Sequence, residues 1–326
     1  MTVAFYPMKP FFVLFGFLAI VLLGAQSPSQ RPPQPVTQLA PDVFFWQGDT
    51  NIRRPANCTW VIFKDYVLVI DANFPWGAQE ILPEIKKTTT KPIRFLFNSH
   101  YHSDHSFGNG VFMAEGATIV ASRETGIESR GKLGDVASGI LTRGARPDAT
   151  VYDKEAAAET RANGYKVEHP TVLFEGRMAF DDGEHRVELI RVGPGHTIGD
   201  SVAWLPKEKI LIAGDLLVNW DTGNNVADRD ADLDNWVKVL DQLAQWDAKI
   251  VVPGHGRVGT IDTLRGQAAY LADMTAQVRA GIAAGKTADQ LAAQIDLSKH
   301  QPWGASRAAN ASSVRAIHRN LSQKAK

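Results

Sequence analysis

At 326 residues, with 44% hydrophobic and 21% charged side chains, the chain has an ordinary globular composition, which excludes a disordered or collagen-like protein. Its 35 basic residues balance 35 acidic ones, so there is no electrostatic case for a dedicated nucleic-acid binder. One cysteine, Cys58, excludes an intramolecular disulfide and any cysteine-rich zinc site.

The chain begins with a targeting pattern. Lys9 is the only charge before the apolar run Phe11–Leu23. That run is shorter than the roughly 20 residues of a membrane span and suits a signal-peptide core. Gly24 and Ala25 follow, so residues 1–25 read as a signal peptide and the Pro/Gln/Ser-rich residues 26–41 as a flexible linker. No cysteine stands there to carry a lipid. An uncleaved anchor is the alternative. Either way the folded part is exported, periplasmic or secreted, and cleavage leaves no stable membrane anchor.

From residue 42 the pattern is that of one packed α/β domain running to residue 326. Val43–Gly48, Cys58–Phe63 and Tyr66–Asp71 are short, β-branched and aromatic, with turn residues between them. A helix follows at Trp76–Lys87 and a buried strand at Pro92–Asn98. Residues 123–170 are polar and rich in Gly and Ala, and read as an insertion laid over the core. Further strands fall at Thr171–Phe174, Arg186–Val192, Ser201–Leu205, Ile210–Ala213 and Ile250–Val252. Asn235–Trp246 predicts a helix burying Val237, Leu240, Leu243 and Ala244. Helices resume from about residue 261, where Leu264, Ala268, Leu271, Met274, Val278 and Ile282 recur at helical steps. Gly285 ends that helix, and Thr287 with Gln290 makes a capping box for the next.

The chemistry concentrates at strand ends. His100, His102, Asp104 and His105 fall within six positions, just after the strand ending in FLFN. His100 and His102, two apart in an extended loop, point the same way and suit one metal; Asp104 and His105 are offset and suit a second. Imidazole and carboxylate without thiolate favour zinc or a similar divalent ion. His196 in GPGHT, Asp215 in AGD and His255 in PGHG each follow a strand beside glycine. A lone histidine in such a turn is usually only a turn residue; four strand ends finishing this way are not.

On these residues the chain resembles the metallo-β-lactamase superfamily: HxHxDH at His100–His105, then GHT at His196, GD at Asp215 and GH at His255, in the family's order. The resemblance spans about Asp42 to Val258 and implies a four-layer αβ/βα sandwich with two zinc ions at one edge of the sheets. It implies that His100, His102 and His196 hold the first ion and Asp104, His105 and His255 the second. Asp215 bridges the two, and Asp71 orients a ligand from behind unless it is a plain turn residue. The implied reaction is hydrolysis by a metal-bridged hydroxide, since two such ions lower the pKa of a shared water from 15.7 to about 7. Asp104 is the residue placed to accept the proton in turnover.

The family pattern also bears on substrate. The best-known zinc β-lactamases have a cysteine where Asp215 stands and a lysine three residues on; here Leu216, Leu217 and Val218 follow. The Asp215 pattern is similar to the thioesterase, lactonase, phosphodiesterase and sulfatase branches. Flavodiiron reductases carry an acidic residue at the position of His102, and the superfamily's nucleases act on a polyanion that suits an exported neutral chain poorly. The expected activity is therefore hydrolysis of a small ester, thioester, lactone or lactam. A working β-lactamase is the alternative, and a periplasmic metal-binding accessory protein is the alternative outside enzymes. Expected substrate contacts are Tyr101, Asn219, Trp220, Asn224, Asn225 and the insertion. Phe74, Pro75 and Trp76 form either a cleft wall or core.

Overall fold

The computed structural model describes residues 35–49, 55–220, 226 and 230–324. The signal-peptide reading, Asn224 and Asn225 lie outside them. The first sheet starts earlier than the sequence suggested: β1 (Val36–Ala40) falls inside the segment read as linker. Its Pro/Gln-rich surroundings hide it, because its support comes from pairing, Val36 with Trp46 and Thr37 with Phe45 of β2 (Val43–Trp46). Residues 36–40 are therefore part of the fold, not of a linker.

β3 (Cys58–Ile62), β4 (Val67–Ile70), β5 (Ile93–Phe97), β6 (Thr118–Ser122) and β7 (Val172–Phe174) complete a seven-stranded sheet in chain order. Pairing is antiparallel through β4 and parallel from β4 to β7. The second sheet has the order β13-β11-β10-β9-β8, built from β8 (Arg177–Asp181), β9 (Arg186–Arg191), β10 (Ser201–Leu205), β11 (Ile210–Ile212) and β13 (Ile250–Val252). Here β11 and β13 are parallel and the other pairs antiparallel. β12 (Val218–Asn219) pairs with β14 (His255–Gly256) beside the strand ends.

Alternation along the strands builds four layers. Leu68 and Ile70 of β4 face the second sheet, meeting Leu189, Ala203 and Ile212 among others. Val67 and Val69 face outward against Ile81 and Ile85 of α1 (Pro75–Thr88) and Phe112 of α3 (Asn109–Ala114). All four β4 residues are buried, as a strand covered on both faces requires. Beyond the second sheet, Val202, Leu211 and Val251 pack on α7 (Leu233–Leu243), α8 (Ile261–Ala283), α9 (Ala288–Gln294) and α10 (Arg307–Lys324). The result is an αβ/βα sandwich.

Two local readings change. α7 buries Leu233, Trp236, Val239, Leu240 and Leu243, while Val237 is only half-buried. Leu240, Leu243 and Ala244 are buried as read, and Trp236 and Val239 complete that face. β6 and β8 gave no signal that stood out in the sequence. Residues 123–170 form α4 (Arg123–Lys132), α5 (Val136–Gly144) and α6 (Val151–Asn163), with Ile140, Ala156 and Ala157 packed on Phe74, Trp76 and Phe107. Phe74 and Trp76 are thus core, stacked with ring centroids 5.0 Å apart, while Pro75 between them lines a cavity with Phe107 and Tyr165. Cys58 is a buried core residue. No helix among the described residues is long and apolar enough to cross a membrane.

Candidate metal centre

The parallel strands β4 and β5, and β9, β11 and β13 in the other sheet, release their C-terminal ends toward one edge. From β5 comes the loop of His100 and His102, which runs straight into α2 (Ser103–Ser106) carrying Asp104 and His105. From β9, β11 and β13 come His196, Asp215 and His255. Open α/β folds place their sites where strand ends meet in this way. The seven side chains fall into two groups, each with its donor atoms within 4.8 Å of one another: His100, His102, His196 and Asp215, and Asp104, His105 and His255.

Asp215 joins the groups. Its Oδ2 lies 3.4 Å from His196 Nε2 and 3.9 Å from His100 Nε2. Its Oδ1 lies 3.1 Å from His105 Nε2 and 3.2 Å from His255 Nε2. One carboxylate oxygen therefore faces each group. Asp104 Oδ2 sits 3.3 Å from His255 Nε2, and its side chain is 24% exposed where the buried histidines are nearly inaccessible. It marks the open side of the centre.

The ring protons are settled by what lies behind the rings. Asp71, just after β4, sits in the left-handed region, φ 61°, and collects three donors. Ser99 donates to it from N and Oγ, both at 2.8 Å, and His105 Nδ1 donates to Oδ2 at 2.9 Å. Since the Ser99 hydroxyl proton is spent on Asp71, Ser99 Oγ accepts from His100 Nδ1 at 3.0 Å. Pro55 O, which only accepts, takes the Nδ1–H of His255 at 2.8 Å. His100, His105 and His255 therefore all aim an Nε2 lone pair inward.

Those inward lone pairs need a cation. His105 Nε2 and His255 Nε2 face each other at 3.1 Å, and His100 Nε2 has no hydrogen-bond partner among the described residues. His196 Nε2 and His102 Nδ1 likewise meet at 2.9 Å. The set of nitrogen and carboxylate donors, buried and mutually facing, fits divalent metal ions. Without a metal, protons fill the gap. Burial lowers the pKa of His255, but the neighbouring Asp215 and Asp104 outweigh it and push it up to about 9. His105 is also raised, Asp215 and Asp71 overcoming its desolvation. His100, desolvated and next to His105, is held well below the ordinary histidine range. Burial disfavours charge on Asp215 and Asp104 too, yet His105 and His255 hold both below the usual carboxylate range.

Several supporting residues had carried no role in the sequence. Asp200 accepts from Thr197 N at 2.9 Å and Thr197 Oγ1 at 2.6 Å, fixing the turn of His196; burial raises it to about 7. The Trp236 ring lies 5.2 Å from the His196 ring, and its Nε1 donates to Leu216 O at 3.0 Å. Tyr101, an expected substrate contact, is 7% exposed, with its ring 4.6 Å from His102 and Lys132 over its other side. Its side chain is packed away from solvent. Asn219 Nδ2 donates to Arg257 O at 2.7 Å, and Trp220 is half-buried with its ring 4.6 Å from His255.

Comparison with known proteins agrees with this geometry. The chain is 25% identical over 250 residues to a linear primary-alkylsulfatase from a Pseudomonas species. That match takes in 68% of this chain, which spans only 46% of the relative's length. A metallo-β-lactamase structure from Pontibacter korlensis superposes with a TM-score of 0.55 at 24% identity, over 73% of this chain and 98% of that one. A sec-alkyl sulfatase double mutant superposes with a TM-score of 0.68 at 16% identity, over 88% of this chain and 50% of that one. The family profile described as metallo-beta-lactamase superfamily matches residues 51–255. With the profile spanning well over half of its length, the chain belongs to the metallo-β-lactamase superfamily, as a metal-dependent hydrolase.

Proposed function

We propose that the protein is a binuclear zinc hydrolase of small ester-type substrates, carboxylic esters, thioesters, lactones and sulfate esters included. The observation that carries this reading is Asp215, with one oxygen toward each histidine group. Divalent ions held there would supply a water-derived nucleophile at neutral pH and polarise the oxygen under attack. His100, His102 and His196 would hold the first ion, and Asp104, His105 and His255 the second. Asp71, Ser99 and Pro55 O fix three of the rings so that no reorientation accompanies the reaction. Asp104, on the open side of the centre, is the carboxylate placed to take up the proton released in turnover.

Sulfate esters join the candidates because the alkylsulfatase structure superposes over more of this chain than the lactamase does. Lactam hydrolysis is the second reading, supported by the whole-length superposition of a metallo-β-lactamase. Against it, Asp215 is followed by the buried Leu216, Leu217 and Val218, which leave no cation there for a lactam carboxylate. A zinc-loaded sample assayed on an aryl ester, a thioester, a lactone, an alkyl sulfate and a chromogenic cephalosporin separates the two. At least one of the first four is expected to reach a kcat/KM of about 10⁴ M⁻¹s⁻¹, the lower end for evolved enzymes. If only the cephalosporin reaches it, the protein is a β-lactamase; if none does and zinc still binds, the accessory role stands.

We also propose export, on the strength of the Phe11–Leu23 run followed by Gly24 and Ala25. The intact mass of secreted or periplasmic protein should correspond to a chain starting near residue 26. A cytoplasmic protein of full mass would refute this.

A further inference from the structure

We propose that Asn57 is the positioning residue for the His255 side of the centre, so that the affinity for the second ion depends on it more than the affinity for the first. This rests on the binuclear reading above. Asn57 is 3% exposed, immediately before β3, and far in sequence from every ligand it serves. Its Nδ2 donates to Pro253 O at 2.8 Å and to Gly256 O at 3.0 Å. Its main-chain N donates to Gly254 O at 2.8 Å, and its Oδ1 accepts from Gly48 N at 2.9 Å. Every residue that brackets His255 in the Pro253–Gly256 turn is thus hung from Asn57. Two residues earlier, Pro55 O fixes the His255 ring itself.

The turn is gripped from its other side by the centre. Gly254 N donates to Gly214 O at 2.8 Å and Leu217 O at 3.0 Å, and a Cβ at Gly254 would lie 2.0 Å from Asp215 Oδ1. On that side a ligand itself is in contact. On the Asn57 side there is no ligand: its two amide protons hold the carbonyls of Pro253 and Gly256, its main-chain N holds Gly254 O, and with Pro55 O on the ring they fix where His255 Nε2 arrives. Among the described residues Asn57 sends no hydrogen bond to the loops of His100, His102 or His196, so its influence should fall more heavily on the His255 group than on the other, which it reaches only through Asp215. An isosteric carboxylate would replace both protons with an oxygen facing two carbonyl oxygens, and the turn would shift away.

The test is stepwise zinc uptake by metal-stripped protein, measured by competition with a chromophoric chelator, for wild type, Asn57→Asp and Asn57→Ser. The unfolding temperature of each stripped protein is followed in parallel. The first ion is expected to bind as in wild type, and the second about ten- to a hundred-fold more weakly, the range for residues that orient a ligand from behind. Asn57→Asp should be the more affected. Asn57→Ser keeps the test open if the aspartate variant does not fold. Unchanged affinities, or equal weakening of both ions, would overturn the proposal. Wild type that takes up only one ion would overturn the binuclear reading and this inference with it.

Discussion

Asp215→Ala is expected to lower second-ion occupancy and hydrolysis together, by more than about 100-fold in activity, the upper end of the loss from an outer orienting residue. The carboxylate spans the two groups, its oxygens 3.4 Å from His196 Nε2 on one side and 3.1 Å from His105 Nε2 on the other. Alanine removes a ligand from both ions and leaves five imidazoles repelling one another across an enlarged gap. Asp215→Asn keeps the shape but not the charge, and should fall between the two. Metal content by plasma emission, measured on the same samples as the rate, checks the coupling. Full occupancy with full activity in the alanine variant would remove Asp215 from the bridging role.

Metal removal is expected to abolish activity and lower the melting temperature by an amount that grows with pH. An ion present at a thousand times its dissociation constant stabilises the folded state by about 4 kcal/mol per site. For a domain of this size that corresponds to a shift on the order of 10 °C. The stripped protein has its own pH dependence. His255 is raised from an ordinary 6.5 to about 9, so its proton stabilises the fold fully below about 6.5, and that contribution is lost as pH rises through about 9. Asp215 and Asp104 are depressed from 3.8, so their contribution is present above that value and lost as the pH falls below it. These three groups together contribute most between about pH 4 and 6.5 and lose the His255 part toward pH 9, whereas His100, held below its ordinary value, opposes them as the pH falls below 6.5. The loaded protein should not lose stability toward pH 9, because metal and proton compete for the same Nε2 lone pairs and the metal gains as protons leave. Melting curves of both forms from pH 5 to 9 test this. A gap that narrows with rising pH would show that the histidines are not the shared binding atoms.

The ligand residues were legible in the sequence because the chemistry demands particular side chains and the fold demands that they follow strands. His100–His105, His196, Asp215 and His255 satisfy both demands locally, within a few residues each. Asn57 and Pro55 satisfy neither. An asparagine before a strand and a proline in a loop are commonplace, and their partners at Pro253, Gly256 and His255 lie about two hundred residues away. Ser99 was in plain view, yet its role depends on Asp71 having already claimed its proton. The fold shows the same division. Strands buried on both faces, such as Val67–Ile70, declare themselves by composition, whereas Val36–Ala40 is a strand only because Val43–Trp46 lies beside it. The buried face of α7 was legible at Leu240, Leu243 and Ala244, whereas Trp236 and Val239 join it and Val237 is only half-buried at its edge.

The segment carrying Asp215 is tethered from beyond the part of the chain that the superfamily profile covers. Val218 N donates to Gln267 Oε1 at 2.9 Å, Gln267 Nε2 donates to Leu216 O at 2.5 Å, and Trp303 Nε1 donates to Val218 O. Gln267 lies on α8 and Trp303 before α10, both after residue 255, where the profile match stops. The terminal helices are therefore not an appendage that evolution or an engineer can exchange freely. A tail borrowed from a relative would have to reproduce an amide and an indole at the same two carbonyls, or the shared carboxylate would lose its footing while every ligand was still encoded.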